Sequence, residues 1–236
     1  MSSQTEYILH VLEKNGVIHT PNTLPRLSMT KLKPSKFYEE VKAVYKDLGG
    51  LKDDLPFDLN DFDMELFSKA LVIDDSTHFN VYRAKTLQSP LYDLLPEIDS
   101  NSYKRLCRQY AKDCLLAASH SELWTNKASE RHFGESNETG DLGLNGSSAW
   151  KMRAFIDFLT DVSGLILPYK VVRISVYDSL MIGGKITSLK SVLLSRKEEN
   201  EKIIHSYFAR KLGLIKKDIK QFMAEELRKS EELDSE

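Results

Sequence analysis

Acidic side chains gather around short apolar runs in the first third of the chain. Asp63 sits in FDMELF (62–67), Asp74 and Asp75 close the run ALVIDD (70–75), and His78 follows three residues later. Upstream, Glu39 and Glu40 lie within FYEEVKAVYKDLGG (37–50). Carboxylates that converge from a helix and two adjacent strands present hard oxygen ligands of the kind that suit Mg²⁺. Such an ion activates water and neutralises the charge that develops when a phosphodiester is hydrolysed. The candidate metal ligands are Asp63, Asp74, Asp75 and Glu40, the last because the 3.6-residue period puts it beside the apolar stripe of its helix. His78 reads as a general base or as a group that orients the acids. Plainer readings stand beside these. Asp-Asp-Ser-Thr is also an ordinary turn sequence, since Asp and Ser bond their own backbone there. A lone histidine is often a partly buried structural residue, and a Glu pair on a helix is often a solvated face.

Positioning these groups requires a mixed fold. Residues 4–14 predict a helix stopped by Asn15-Gly16, and 17–34, with three prolines, a connecting arm. Pro34-Ser35 opens a second helix in which Phe37, Val41, Val44, Tyr45 and Leu48 share a face, and Gly49-Gly50 ends it. An Asp- and Pro-rich turn (52–61) leads into FDMELF, ALVID and HFNVYR (78–83), three runs rich in strand formers, with Ser68-Lys69 as the turn of a hairpin. Residues 91–118 predict helix. Residues 134–148 hold four of the eleven glycines and few apolar groups, which predicts an exposed, mobile loop. WKMRAFIDFLTDV (150–162) is helical and ended by Gly164, YKVVRISVY (169–177) alternates as a strand, and the chain is helical from Ser188 with a break at Gly213. The expected fold is α/β (α+β): a small mixed sheet flanked by helices. An N-terminal helix and arm (1–34) precede a core (35–187) with a helical insertion (80–149), and a helical C-terminal extension (188–236) follows.

Basic residues are unevenly spread. Five lie between Arg210 and Lys220 against one acid, and six lie within 26–46. Such runs track a phosphate backbone or form a solvated helix face. Arg83, Lys85, Lys151 and Arg153 flank the acidic segments and are the candidates for phosphate contact. Trp150 and Phe155 read as core anchors of their helix.

The motifs, taken in order, are Asp63, ALVIDDSTHF (70–79), WKMRAFIDFL (150–159) and YKVVRISVYDSL (169–180). This order resembles the restriction-endonuclease-like superfamily, and more closely its branch of very-short-patch-repair endonucleases and their small relatives. That branch carries an aspartate on one strand, an apolar strand ending in an acid-x-Asp-Gly-x-x-His pattern, a helix with Arg and Asp, and a strand of the form Tyr-x-Val-x-Arg. The resemblance covers roughly residues 35–80 and 150–185. It departs from the pattern at Val72, which stands in an acidic position, and at Asp75, which replaces the glycine. No Asp/Glu-x-Lys triplet ends the second strand, and about seventy residues separate His78 from Trp150. The resemblance implies a DNA endonuclease of a repair, restriction or mobile-element setting, dependent on Mg²⁺ or Mn²⁺. Asp63, Asp74, His78 and Arg173 would be its catalytic residues, with Arg173 holding a phosphate or bracing the acids. Cutting of both strands would imply a homodimer. Val72 favours the alternative of an inactive nucleic-acid-binding module, and the C-terminal helices favour a helical scaffold protein.

Composition narrows the field further. Thirty-three basic residues against thirty-five acidic ones give a net charge of -2, which excludes a polybasic, histone-like protein. No apolar run is long enough to span a membrane, and the N-terminus lacks a signal-peptide layout. Two cysteines make no disulfide framework, so a reduced, cytoplasmic protein is expected. Cys107, Cys114, His120 and His132 fit no standard zinc spacing, and two cysteines seven apart share a helix face as core residues. Gly183-Gly184-Lys185 lacks the arc of a P-loop, and there is no G-x-S-x-G elbow.

Overall fold

The computed structural model describes residues 3–17, 24–56, 62–66 and 68–213. Part of the arm, half of the Asp- and Pro-rich turn and the basic run beyond Gly213 lie outside these residues. The helices are α1 (Ser3–Lys14), α2 (Met29–Leu32), α3 (Tyr38–Asp47), α4 (Val81–Thr86), α5 (Ser100–Gln109), α6 (Ala111–Ala118), α7 (Ser121–Trp124), α8 (Lys127–Phe133), α9 (Ser148–Ile166), α10 (Leu189–Ser195) and α11 (Glu201–Lys211). The strands are β1 (Met64–Leu66), β2 (Lys69–Asp74), β3 (Lys170–Ser175), β4 (Ser179–Ile182) and β5 (Lys185–Ser188). The fold is α+β, as expected.

Three strands form the main sheet in the order β1-β2-β3. β1 and β2 are an antiparallel hairpin, and β2 and β3 run parallel with Val72 opposite Arg173 and Asp74 opposite Ser175. Parallel pairing needs a long crossover, and here it runs through α4 to α9. The alternation of side chains along a strand sorts the sheet into two faces. Ala70, Val72, Asp74, Val171 and Arg173 face α9. Leu71, Val172 and Ile174 face the other way and share a core with Ile8 and Leu12 of α1, Val192 of α10 and Ile204 and Phe208 of α11. The two terminal helical segments thus pack together on the sheet's second face.

Three sequence expectations are corrected, and one element is additional to them. HFNVYR is not a strand: Asp75 caps a 3-10 turn (Ser76–His78) by accepting from the Thr77 N–H, and Asn80 caps α4 by accepting from Tyr82 and Arg83. Two successive caps satisfy the orphan donors of helix starts and override the strand propensity of Phe, Val and Tyr. Helix α9 runs through Gly164 to Ile166. An interior glycine costs a helix only about 1 kcal/mol, and the stop is Pro168, which forces Leu167 into an extended conformation. The hairpin β4–β5 was not foreseen, although Gly183 and Gly184, both at positive φ (54° and 79°), are the signature of its two-residue turn. The 134–148 loop is exposed or half-buried as far as Asn145 and buried from Gly146 on. Its feet are held by Asn137 N–H to Gly146 O (2.8 Å) and by Trp124 Nε1 to Asn137 O (2.9 Å), and Ser147 is buried as the cap of α9.

Candidate functional site

The site is built where α9 lies over the carboxyl ends of β2 and β3. On α9, Arg153, Asp157 and Asp161 recur at four-residue spacing and therefore share one face. That face is turned to the sheet, where strand alternation aims Asp74 and Arg173 at it. Asp74, Asp161 and Arg173 are all at most 3% exposed, so each charge needs a partner.

Arg173 supplies most of the pairing. Its Nη1 bonds Asp74 Oδ1 and its Nε bonds Asp161 Oδ1, while Nη2 donates to the Asp157 carbonyl (2.9 Å) and approaches Asp157 Oδ1 (3.2 Å). A second buried guanidinium completes Asp161: Arg83 Nη2 donates to Oδ2 at 2.7 Å, and the Tyr92 hydroxyl donates to the same oxygen at 2.7 Å. His78 closes the other end. Its Nδ1 lies 3.0 Å from Asp157 Oδ2 and 3.4 Å from Asp74 Oδ1, and its Nε2 lies 3.9 Å from Asp75 Oδ1. Three carboxylates thus meet two guanidiniums and one imidazole, which balances when His78 is protonated.

The titration behaviour follows this arrangement. Burial by itself would depress the His78 pKa, but the Asp157 and Asp74 carboxylates outweigh it and the net shift is upward. Burial would raise Asp157, but the charges of His78 and Arg173 pull it well below the ordinary carboxylate range. Asp74 is raised, because its burial exceeds the help it receives from Arg173 and His78. Asp63 is raised as well, chiefly by burial and against the hydrogen bond from the Ile73 N–H (2.8 Å).

Two cavities open on either side of His78, Ile156 and Asp157. The first, of about 280 Å³, is acidic and is lined by Asp63, Asp75, His78 and Asp157, with Val72 and Thr160. Three residues singled out in the sequence, Asp63, Asp75 and His78, therefore line one cavity with Asp157 of α9. Asp74 lies behind this lining. Among the described residues, Asp74, His78 and Asp157 form the group whose ligand atoms lie within 4.8 Å of one another. Asp74 Oδ2 and the Tyr103 hydroxyl are both buried, and the Tyr103 pKa is pushed well above its ordinary value by burial first and then by the charge of Asp74 and a hydrogen bond to it. Two carboxylates and an imidazole are a donor set that a divalent cation takes, the imidazole only once it is deprotonated. Imidazole in the set suits Mn²⁺ or Zn²⁺ better than Mg²⁺.

Several candidates sit elsewhere. Glu40 accepts from Ser89 Oγ (2.7 Å) in a separate hollow that it shares with Asp47 and Lys85, so it does not join the acids. Arg83 is buried in the ion network and cannot reach a ligand in solvent. Lys85 bonds the Asp47 carbonyl, and Lys151 is buried, bonds Asn145 Oδ1 (2.5 Å) and has its pKa lowered by burial and by Lys85. Both lysines lie by the end of α3, where cations complement the last carbonyls. Arg153 alone of the four basic candidates lines a cavity beside His78 and Asp157, with Nη1 bonded to Thr77 Oγ1. Asp75 is exposed and caps the 3-10 turn, which satisfies the turn reading, yet it also lines the acidic cavity. Sequence reasoning did not single out Asp157 or Asp161. Their signal was two acids at i, i+4 on a helix that is otherwise apolar on that side.

Residues 43–195 match the model of a family of unknown function, DUF7255, and the chain belongs to that family. The matched span contains every residue of the site. No curated protein and no solved structure matches the chain.

Proposed function

We propose that this member of a family of unknown function is a divalent-metal-dependent nuclease that hydrolyses phosphodiester bonds in DNA, with a restriction-endonuclease-like core. The reading rests above all on one observation: Asp63, Asp75, His78 and Asp157 line one small cavity, and Asp74 lies within reach of the last two. Asp157 and Asp74 would hold the ion, with Asp63 and Asp75 beside it. Mn²⁺ would serve better than Mg²⁺. When bound, the ion would supply an activated water and offset charge on the scissile phosphate. Arg173 acts as a positioning residue, fixing Asp74 and Asp157 from behind. His78, held through Nδ1 by Asp157, presents Nε2 toward Asp75 and the cavity, the geometry of an imidazole that moves a proton at Nε2. Two cysteines that are buried and unpaired support a reduced, cytoplasmic setting. Among the described residues no helix is long and apolar enough to cross a membrane.

A second reading is favoured by Arg173 itself. Its guanidinium already occupies the space between Asp74, Asp157 and Asp161, and an internal cation of this kind also suits an inactive nucleic-acid-binding module. The test is incubation of the full chain with supercoiled plasmid, single-stranded DNA and RNA in Mn²⁺, Mg²⁺ or chelator. Metal-dependent cutting that Asp157→Asn removes supports the nuclease. DNA binding that falls with salt, without cutting in either metal, supports the binding module. A homodimer is expected if both strands are cut.

A further inference from the structure

The second cavity lies across His78 from the acidic one, and neither the ion network nor the metal ligands account for it. It measures about 510 Å³ and runs between α8 and the N-terminal half of α9, closed at one end by α7. This falls in the lower half of the roughly 300–1,000 Å³ typical of small-ligand sites. Its lining combines the apolar side chains of Leu123, Met152 and Ile156 with two guanidiniums, Arg131 of α8 and Arg153 of α9, the second of which bonds Thr77 Oγ1. Among the described residues neither arginine forms a salt bridge. Glu122, on the short helix that closes the groove, adds an acceptor. Asp157 shares the wall, but its charge is already met by His78 and Arg173.

We infer that this groove binds one nucleoside phosphate unit, with the phosphate on Arg131 and Arg153 and the base against Leu123 and Met152. A free phosphate would leave the apolar side chains uncovered, and a neutral aromatic molecule would leave two guanidiniums without an anion. A nucleotide satisfies both, and its exocyclic or sugar donors have Glu122 to bond. The groove shares His78, Ile156 and Asp157 with the acidic cavity, so a unit seated here sits next to the proposed cleavage site. In that respect the inference rests on the nuclease reading and names the substrate's neighbouring subsite. The same chemistry is offered by a free nucleotide and by the phosphorylated end of a strand.

The experiment is calorimetric titration of the full chain in chelator, so that neither metal nor cleavage contributes. The probes are AMP, adenosine, inorganic phosphate and a 5′-phosphorylated single-stranded oligonucleotide. AMP is expected to bind at least about tenfold more tightly than adenosine or phosphate, since it alone meets both the apolar side chains and the guanidiniums. Arg131→Ala with Arg153→Ala should weaken AMP by about tenfold or more while leaving the thermal midpoint within a few degrees, because Arg131 is exposed and Arg153 is half-buried with a single bond to Thr77. Competition of the oligonucleotide for AMP assigns the groove to a strand end; AMP binding without competition assigns it to a free nucleotide. Equal affinity for AMP and phosphate, or an arginine double variant that binds AMP normally, overturns the inference. Loss of cleavage with intact AMP binding would sink the nuclease reading and leave the groove standing.

Discussion

At the scale of single residues, the chemistry turns on Asp157 and His78. Asp157→Asn keeps the shape of the side chain but removes a charge that serves both His78 and the proposed ion. Metal-dependent cleavage should be abolished, and circular dichroism should show the fold retained. His78→Ala should slow cleavage on the order of a hundredfold if Nε2 moves the proton, and far less if the imidazole only fills space. The same pair gives a pH signature in the metal-free protein. The His78 pKa is raised above its ordinary value of 6.5 in the fold. The stabilisation it brings is therefore complete below that value and is lost as pH rises through the folded pKa. Urea unfolding in chelator should show the stability difference between wild type and His78→Gln to be larger at about pH 6 than at about pH 9. A difference that grows with pH would mean that the imidazole is held neutral.

At the scale of elements, the ion network fastens α9 and α4 to the sheet. Arg83 on α4 and Arg173 on β3 meet at Asp161 of α9. Truncating one partner leaves an uncompensated buried charge, so Arg83→Met should lower stability by about 3–5 kcal/mol. It should move the urea midpoint without a change in slope. Pairing it with Asp161→Leu should restore part of the loss, because the orphaned charge then goes as well. The start of α4 is a separate device. Asn80 accepts from two backbone N–H groups, and Asn80→Ala should cost about 1 kcal/mol through the lost cap. An effect near zero would mean that packing of Phe79 alone sets this corner.

At the scale of the whole molecule, the sheet has helices on both faces, and α1, α10 and α11 cover the second one. Ile8 of α1 and Phe208 of α11 are fully buried in the same core as Leu71 and Ile174. Ile8→Ala should therefore destabilise the whole chain by about 2–5 kcal/mol, seen as one cooperative thermal transition at lower temperature. A separate early transition for the N-terminal helix would show that α1 is an independent appendage.

Much of this was legible in local pattern. The alternation of KVVRIS, the apolar run ALVID and the amphipathic stretch after Trp150 each carry their own period, and each became the element it predicted. Asp63, Asp75 and His78 were also legible as acids and a histidine near strand ends, and they share a cavity. What local pattern could not give were choices made by distant partners. Nothing near Arg83 in sequence tells that its guanidinium faces Asp161, 78 residues on, rather than a phosphate. Glu40 had the right helix and the right stripe, but the packing of α3 put it beside Ser89. The turn after Asp75 had strand-forming side chains and yet followed its caps, because two satisfied helix starts outweigh propensity. A period of two or 3.6 residues reports which side of an element is buried. Which charges meet beneath it depends on how α9 crosses β2 and β3, and that crossing exists only once the sheet is closed.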